Sequence, residues 1–221
     1  MDFGEQYYVR ITEILESIRR NEMQLIGDIS SRMAETLKKG GTVWYDAYVG
    51  HMGSLECSEA NKGNPKIIKS NQKEIRHDQM KSGDVLVTNS VNERVRGARD
   101  NGVYVVGVPV NYVDNEWTPP GFVTPNVNNW KLGDVSSVIL QSYIPYTQGI
   151  VDCPEIPEMK ICPSSANSVC SLFWMFQAEV ANKLKNPKAK PVDKSAEVLN
   201  TVIGRIGDAY RMQKDYMFDH A

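Results

Sequence analysis

The chain is short of the features that mark several large functional classes. Among its 221 residues there are four cysteines, Cys57, Cys153, Cys162 and Cys170, with no C-x-x-C pair among them. In a chain long enough to bury a full core this argues against both a zinc cage and a disulfide framework, so the thiols are expected to be reduced. Three histidines, His51, His77 and His220, stand far apart, which further argues against a histidine-rich metal site. Lys plus Arg (25) nearly balances Asp plus Glu (27), leaving no whole-molecule field to draw in nucleic acid or an anionic membrane. No apolar run approaches the roughly 20 residues needed to span a bilayer, and the opening MDFGEQYYVR has neither the basic start nor the apolar stretch of a signal segment. The expected protein is therefore a single soluble domain in the cytoplasm, with no nucleic-acid or membrane partner.

What is present is an alternation of helices and strands. From Phe3 to Arg20, Phe3, Tyr7, Ile11, Ile14, Leu15 and Ile18 recur at helical spacing. Asn21 is placed to cap a second helix, carrying Leu25, Ile26, Ile29, Met33 and Leu37 and ending at Gly40-Gly41. Thr42-Val43-Trp44 then begins a strand, followed by a turn at Gly50 to Gly53 and a short helix with Glu56 and Glu59. Around Ile67 and Ile68 a short strand is expected. Gly83-Asp84 launches Val85-Leu86-Val87, which ends in Thr88-Asn89-Ser90 before a helix from Asn92 to Asp100; Asn101-Gly102 stops it, and Val103 to Val108 forms the next strand. Two strand, turn, helix units in succession imply parallel strands with right-handed crossovers and helices on both faces. Val135 to Leu140 is a further strand, Gly149 to Val151 and Met159 to Ile161 are short ones, and Ser164 or Ser165 caps a helix from Ala166 to Lys185, with a last helix from about Lys194 to Met217.

In an open parallel sheet a ligand binds beyond the carboxyl ends of the strands, which directs attention to the turns after Trp44 and after Val87. His51 can act as acid or base near neutral pH, or simply pack its turn. Glu56 and Glu59, three apart on one helix face, suit a general base if half-buried, or form a solvated face. Asp46, a carboxylate at the end of a buried strand, needs a substrate hydroxyl or a neighbouring loop to bind. Thr88, Ser90 and Asn92 offer hydroxyl and amide groups at a helix start, serving a ligand or the helix cap, and Ser164 and Ser165 present the same choice. Arg94, Arg96 and Arg99 form a basic run on a helix, a solvated face or a reach toward an anionic substrate, and Trp117 and Trp130 flank a proline-rich loop where they can stack on a ligand, fill a subunit contact or pack in the core.

The run Gly83-Asp84-Val85-Leu86-Val87-Thr88-Asn89-Ser90, together with Gly50 to Glu59, Tyr143-Ile144-Pro145 to Gly149 and Cys162-Pro163-Ser164-Ser165, resembles the SIS (sugar isomerase) domain family, most closely its stand-alone bacterial members. The resemblance spans nearly the whole chain. It implies a three-layer αβα sandwich around a parallel, flavodoxin-like sheet of about five strands, preceded by two helices and assembled as a homodimer or homotetramer. It also implies a sugar or sugar phosphate as ligand, held by Asp46, Gly50 and Ser54 of the first loop, by Thr88, Asn89, Ser90 and Asn92 of the second, and by Ser164 and Ser165. The expected reaction is aldose to ketose interconversion through an enediol, with Glu56 or Glu59 as base and His51 assisting at the sugar oxygens, and neither metal nor organic cofactor. The alternative is a binding or sensing module on the same scaffold, without turnover.

Overall fold

The structure is a computed structural model, and it describes residues 2–46, 57, 63–70, 77–110, 130–145 and 148–185. Helix α1, Phe3–Asn21, starts at Asp2, whose carboxylate accepts the Glu5 N–H at 2.8 Å. Helix α2, Met23–Lys38, follows after a single residue. Glu22, not Asn21, stands between them: its backbone is still near-helical and its N–H donates to the Ile18 carbonyl at 2.9 Å, so Asn21 is the last turn of α1 and not a cap. Gly40, at φ +79°, ends α2 in a Schellman motif, with Gly40 N–H on the Leu37 carbonyl and Gly41 N–H on that of Thr36.

Five strands follow: β1 Val43–Tyr45, β2 Lys69–Ser70, β3 Val85–Thr88, β4 Tyr104–Gly107 and β5 Val138–Ile139. They pair in the order β2-β1-β3-β4-β5, all parallel, with Trp44 opposite Leu86 and Leu86 opposite Val105. The expected α/β fold with a five-stranded parallel sheet is therefore present. Between β3 and β4 runs α3, Glu93–Asp100, capped by Asn92 and closed by Gly102 at φ +89° in a second Schellman motif. Before β5 comes α4, the single turn Leu132–Val135. Val135, expected in a strand, is helical because the Asp134 carboxylate accepts the Lys131 N–H at 2.7 Å and closes the turn. The two segments around residues 149–151 and 159–161 are β6, Gly149–Asp152, and β7, Lys160–Pro163, an antiparallel hairpin separate from the main sheet. Helix α5, Ser165–Leu184, comes next.

Alternation along the strands sorts the core into two clusters. Val43, Tyr45, Val85, Val87 and Val106 pack with residues of α1, α2 and α5, whereas Trp44, Leu86 and Val105 pack with α3 and α4. Helices thus cover both faces, an arrangement compatible with a three-layer αβα sandwich. At the amino-terminal edge, Asp84, only 4% exposed, ties the strands together: its carboxylate accepts N–H bonds from Thr42 at 2.8 Å, Lys81 at 3.0 Å and the Trp44 indole at 3.3 Å.

Candidate functional site

The strand order creates the site. From β1 the chain moves to β2 on one side, and from β3 to β4 on the other, so the two crossovers diverge between β1 and β3, the switch point beyond whose carboxyl ends open α/β sheets bind their ligands. The residues that follow the two strands meet there. Asp46 continues the ladder of β1 through its N–H on the Val87 carbonyl at 2.8 Å. Its carboxylate Oδ2 accepts the Thr88 hydroxyl at 2.8 Å and the Ser90 hydroxyl at 2.9 Å. The Thr88 oxygen in turn accepts the Ser90 N–H at 3.0 Å, a hydroxyl turn that folds the start of the second loop back on its strand. Three residues singled out separately in the sequence, at separations of 42 and 44 positions, thus form one cluster.

Asn89 is buried beside them, and Thr88 is almost fully so, while Asp46 and Ser90 are half-buried. None of residues 88–92 has positive φ, so this loop keeps ordinary backbone without a glycine. Asn92 caps α3 by accepting the Val95 N–H at 3.0 Å. Glu93 then sets an acidic side chain in the first turn of α3.

Gly50, His51, Ser54, Glu56 and Glu59 lie outside the described residues, as does Trp117. Ser164 and Ser165 are bound to the hairpin side of the structure: the Ser164 hydroxyl donates to the Gln148 carbonyl at 3.1 Å and that of Ser165 to the Gln148 side-chain oxygen at 2.9 Å. Ser164 occupies the N-cap position of α5 but makes no side-chain cap bond. On α3, the Arg96 guanidinium stacks on Trp130 at 4.6 Å, and Arg99 bonds Asp100 and the Asp134 carbonyl, so both serve the outer helical layer.

A second polar cluster, not anticipated from the sequence, sits where β2 ends. The Ser70 hydroxyl and the Asn64 amide both donate to the Cys57 carbonyl, and Asn64 Oδ1 accepts from Lys66 N–H at 2.8 Å and from Gln177 of α5 at 3.0 Å. Cys57 Sγ lies 3.8 Å from Cys170 Sγ on α5. Next to the two sulfurs is Tyr45, fully buried, its hydroxyl donating to the Val169 carbonyl at 3.1 Å and its ring edge-on to Phe173 at 5.0 Å. Burial, and then the neighbouring Cys57 and Cys170 sulfurs, push the Tyr45 phenol well above its ordinary range. The contacts to α5, Cys57 with Cys170, Asn64 with Gln177 and Tyr45 with Val169, join residues more than a hundred positions apart, which no local pattern signals.

A separate cavity of about 550 Å³ opens under the hairpin, lined by Pro145, Gly149, Asp152, Cys153 and Lys160 among others. Among the described residues no group of three or more His, Cys, Asp or Glu side chains is placed to hold a metal, and no helix is long and apolar enough to cross a membrane. No protein-family model and no curated protein matches the chain.

Proposed function

We propose that the chain is a sugar-isomerase-type (SIS) protein that binds a sugar in the crevice between the ends of β1 and β3. The observation that carries this reading is the Asp46, Thr88 and Ser90 cluster at the point where the crossovers diverge. A carboxylate flanked by hydroxyls is suited to a polyhydroxylated ligand, because it accepts from sugar hydroxyls while Thr88 and Ser90 exchange donor and acceptor roles with them. The same carboxylate works against a phosphate. Two unit charges about 5 Å apart repel by roughly 3 kcal/mol at an effective dielectric near 20. An unphosphorylated sugar is therefore favoured over a sugar phosphate.

Turnover, on this reading, is the enediol proton transfer expected of the family, with Glu56 or Glu59 as base and His51 as the assisting acid. The second reading, a binding or sensing module, draws on Asp46 itself. A carboxylate oxygen that already accepts two hydroxyl hydrogen bonds is held in place as a clasp for further hydroxyls. A homodimer or homotetramer belongs to the same proposal, although part of the apolar breadth of α5 is used within the chain, where Trp174, Met175 and Ala181 pack on the core; light scattering that shows a monomer at micromolar concentration removes the assembly.

The test pairs binding with exchange. Neutral sugars should raise the melting temperature of the native chain more than their phosphates do, and Asp46→Ala should abolish that rise. Exchange of the C2 proton with D₂O, lost in Glu56→Gln and His51→Ala, identifies the isomerase; binding without exchange identifies the module. Stabilisation by phosphates alone, or none that depends on Asp46, refutes the crevice assignment.

A further inference from the structure

We infer that Cys57 and Cys170 form a reversible disulfide under oxidation by a peroxide, tying Cys57 to helix α5. Three observations support it. The sulfurs are already in contact at 3.8 Å, so a closing movement of about 1.8 Å reaches bonding distance. Both partners are also held in place independently of the thiols: the Cys57 carbonyl is fixed by Ser70 and Asn64, and Asn64 is bound to Gln177, two turns beyond Cys170 on the same helix. Lastly, exposure differs between the two. Cys57 is 1% exposed and Cys170 is half-buried, which makes Cys170 the first of the two to be oxidised in this inference.

The chemistry then runs in two steps. The Cys170 sulfur attacks one peroxide oxygen, an S–O bond forms as the O–O bond breaks, and the leaving hydroxide takes up the thiol proton as water. The Cys57 sulfur attacks the resulting sulfenic sulfur, the S–S bond forms as the S–O bond breaks, and a second water leaves with the Cys57 proton. Two thiols supply the two electrons that reduce one peroxide, and an external dithiol reverses the reaction by exchange. The remaining cysteines do not compete as a pair. In the hairpin register Cys162 falls between the pairs Gly149↔Pro163 and Val151↔Ile161, and Cys153 lies beyond the last paired residue, Asp152.

This inference stands apart from the sugar reading, because it concerns thiols that the crevice does not use. Its test treats the full native chain with hydrogen peroxide, alkylates, and maps peptides by mass. The expected result is loss of two of the four thiols, a peptide pair joining Cys57 to Cys170, full reversal by dithiothreitol, and a melting temperature several degrees higher in the oxidised protein, since the bridge restricts the unfolded chain. Cys170→Ser should remove both the bridge and the rise in melting temperature, and the double variant Cys153→Ser with Cys162→Ser should keep them. Four alkylatable thiols after treatment, a bridge to Cys153 or Cys162, or a Cys57 to Cys170 bridge that forms only in denaturant would overturn it.

Discussion

Replacing Asp84 by alanine should be among the most damaging single changes in the chain, although Asp84 faces no candidate ligand. The carboxylate is buried at the amino-terminal edge of the sheet and is the acceptor for three donors: the Thr42 and Lys81 backbone N–H groups at 2.8 and 3.0 Å and the Trp44 indole at 3.3 Å. Each donor left unsatisfied in a buried setting costs about 1–3 kcal/mol. The two shorter backbone bonds are part-buried and the longer indole bond is buried, so all three contribute and a total of about 4 kcal/mol is expected. For a domain of this size that lowers the melting temperature by roughly 8–16 °C. Urea denaturation with an unchanged slope, alongside calorimetry, measures it. A double-mutant cycle with Trp44→Phe isolates the indole bond, which should couple to Asp84 by about 1 kcal/mol. A loss below about 1 kcal/mol for Asp84→Ala would refute the reasoning, because it would mean that the three donors find water or other partners at no cost.

Two further outcomes follow from groups on α1 and at its junction with α2. Glu16 accepts hydrogen bonds from Arg19 and Arg20, which hold its carboxyl down to about 2 from an ordinary 4.5. Since the folded value lies below the unfolded one, its contribution is fully present above about pH 4.5 and is lost as pH falls toward 2; Glu16→Gln should flatten that part of a stability profile, and high salt should shrink the difference. The Tyr143 hydroxyl donates to buried Glu22 at 2.9 Å, and burial together with that carboxylate raises the phenol. Tyr143→Phe strips a donor from the carboxylate between α1 and α2 and should cost about 1–3 kcal/mol in chemical denaturation, whereas an unchanged midpoint would show that the Glu22 charge is held by other means.

Much of the local structure could be read from single residues. Gly83-Asp84 before a valine run marked β3, Asn92 marked the cap of α3, and Gly40 and Gly102 marked helix ends because both adopt left-handed backbone that glycine favours. Where reading failed, a competing local bond decided. Near-helical backbone at Glu22 runs α1 almost directly into α2, so a cap at Asn21 has no function, and the Asp134 carboxylate makes a helical turn of a stretch whose residues suit a strand. Asp46, Thr88 and Ser90 could each be named in advance, but not their union, which depends on β1 lying beside β3 and not beside β2 alone. Strand order is a non-local choice. The same holds for the contact of Cys57 with Cys170, which exists only because α5 returns across the face that carries Tyr45.

Among the described residues the sheet is shortest at its two outer strands. Its outer strands, β2 and β5, have two residues each, against three or four in the interior strands. An edge of two residues offers too few unpaired backbone groups to template another chain, and Lys69, with its ammonium 5.0 Å from the Trp44 ring, adds a charge at one of them. Among the described residues the ladder thus offers little to edge-to-edge growth on either side, and a parallel sheet is kept without the long exposed strands that invite it.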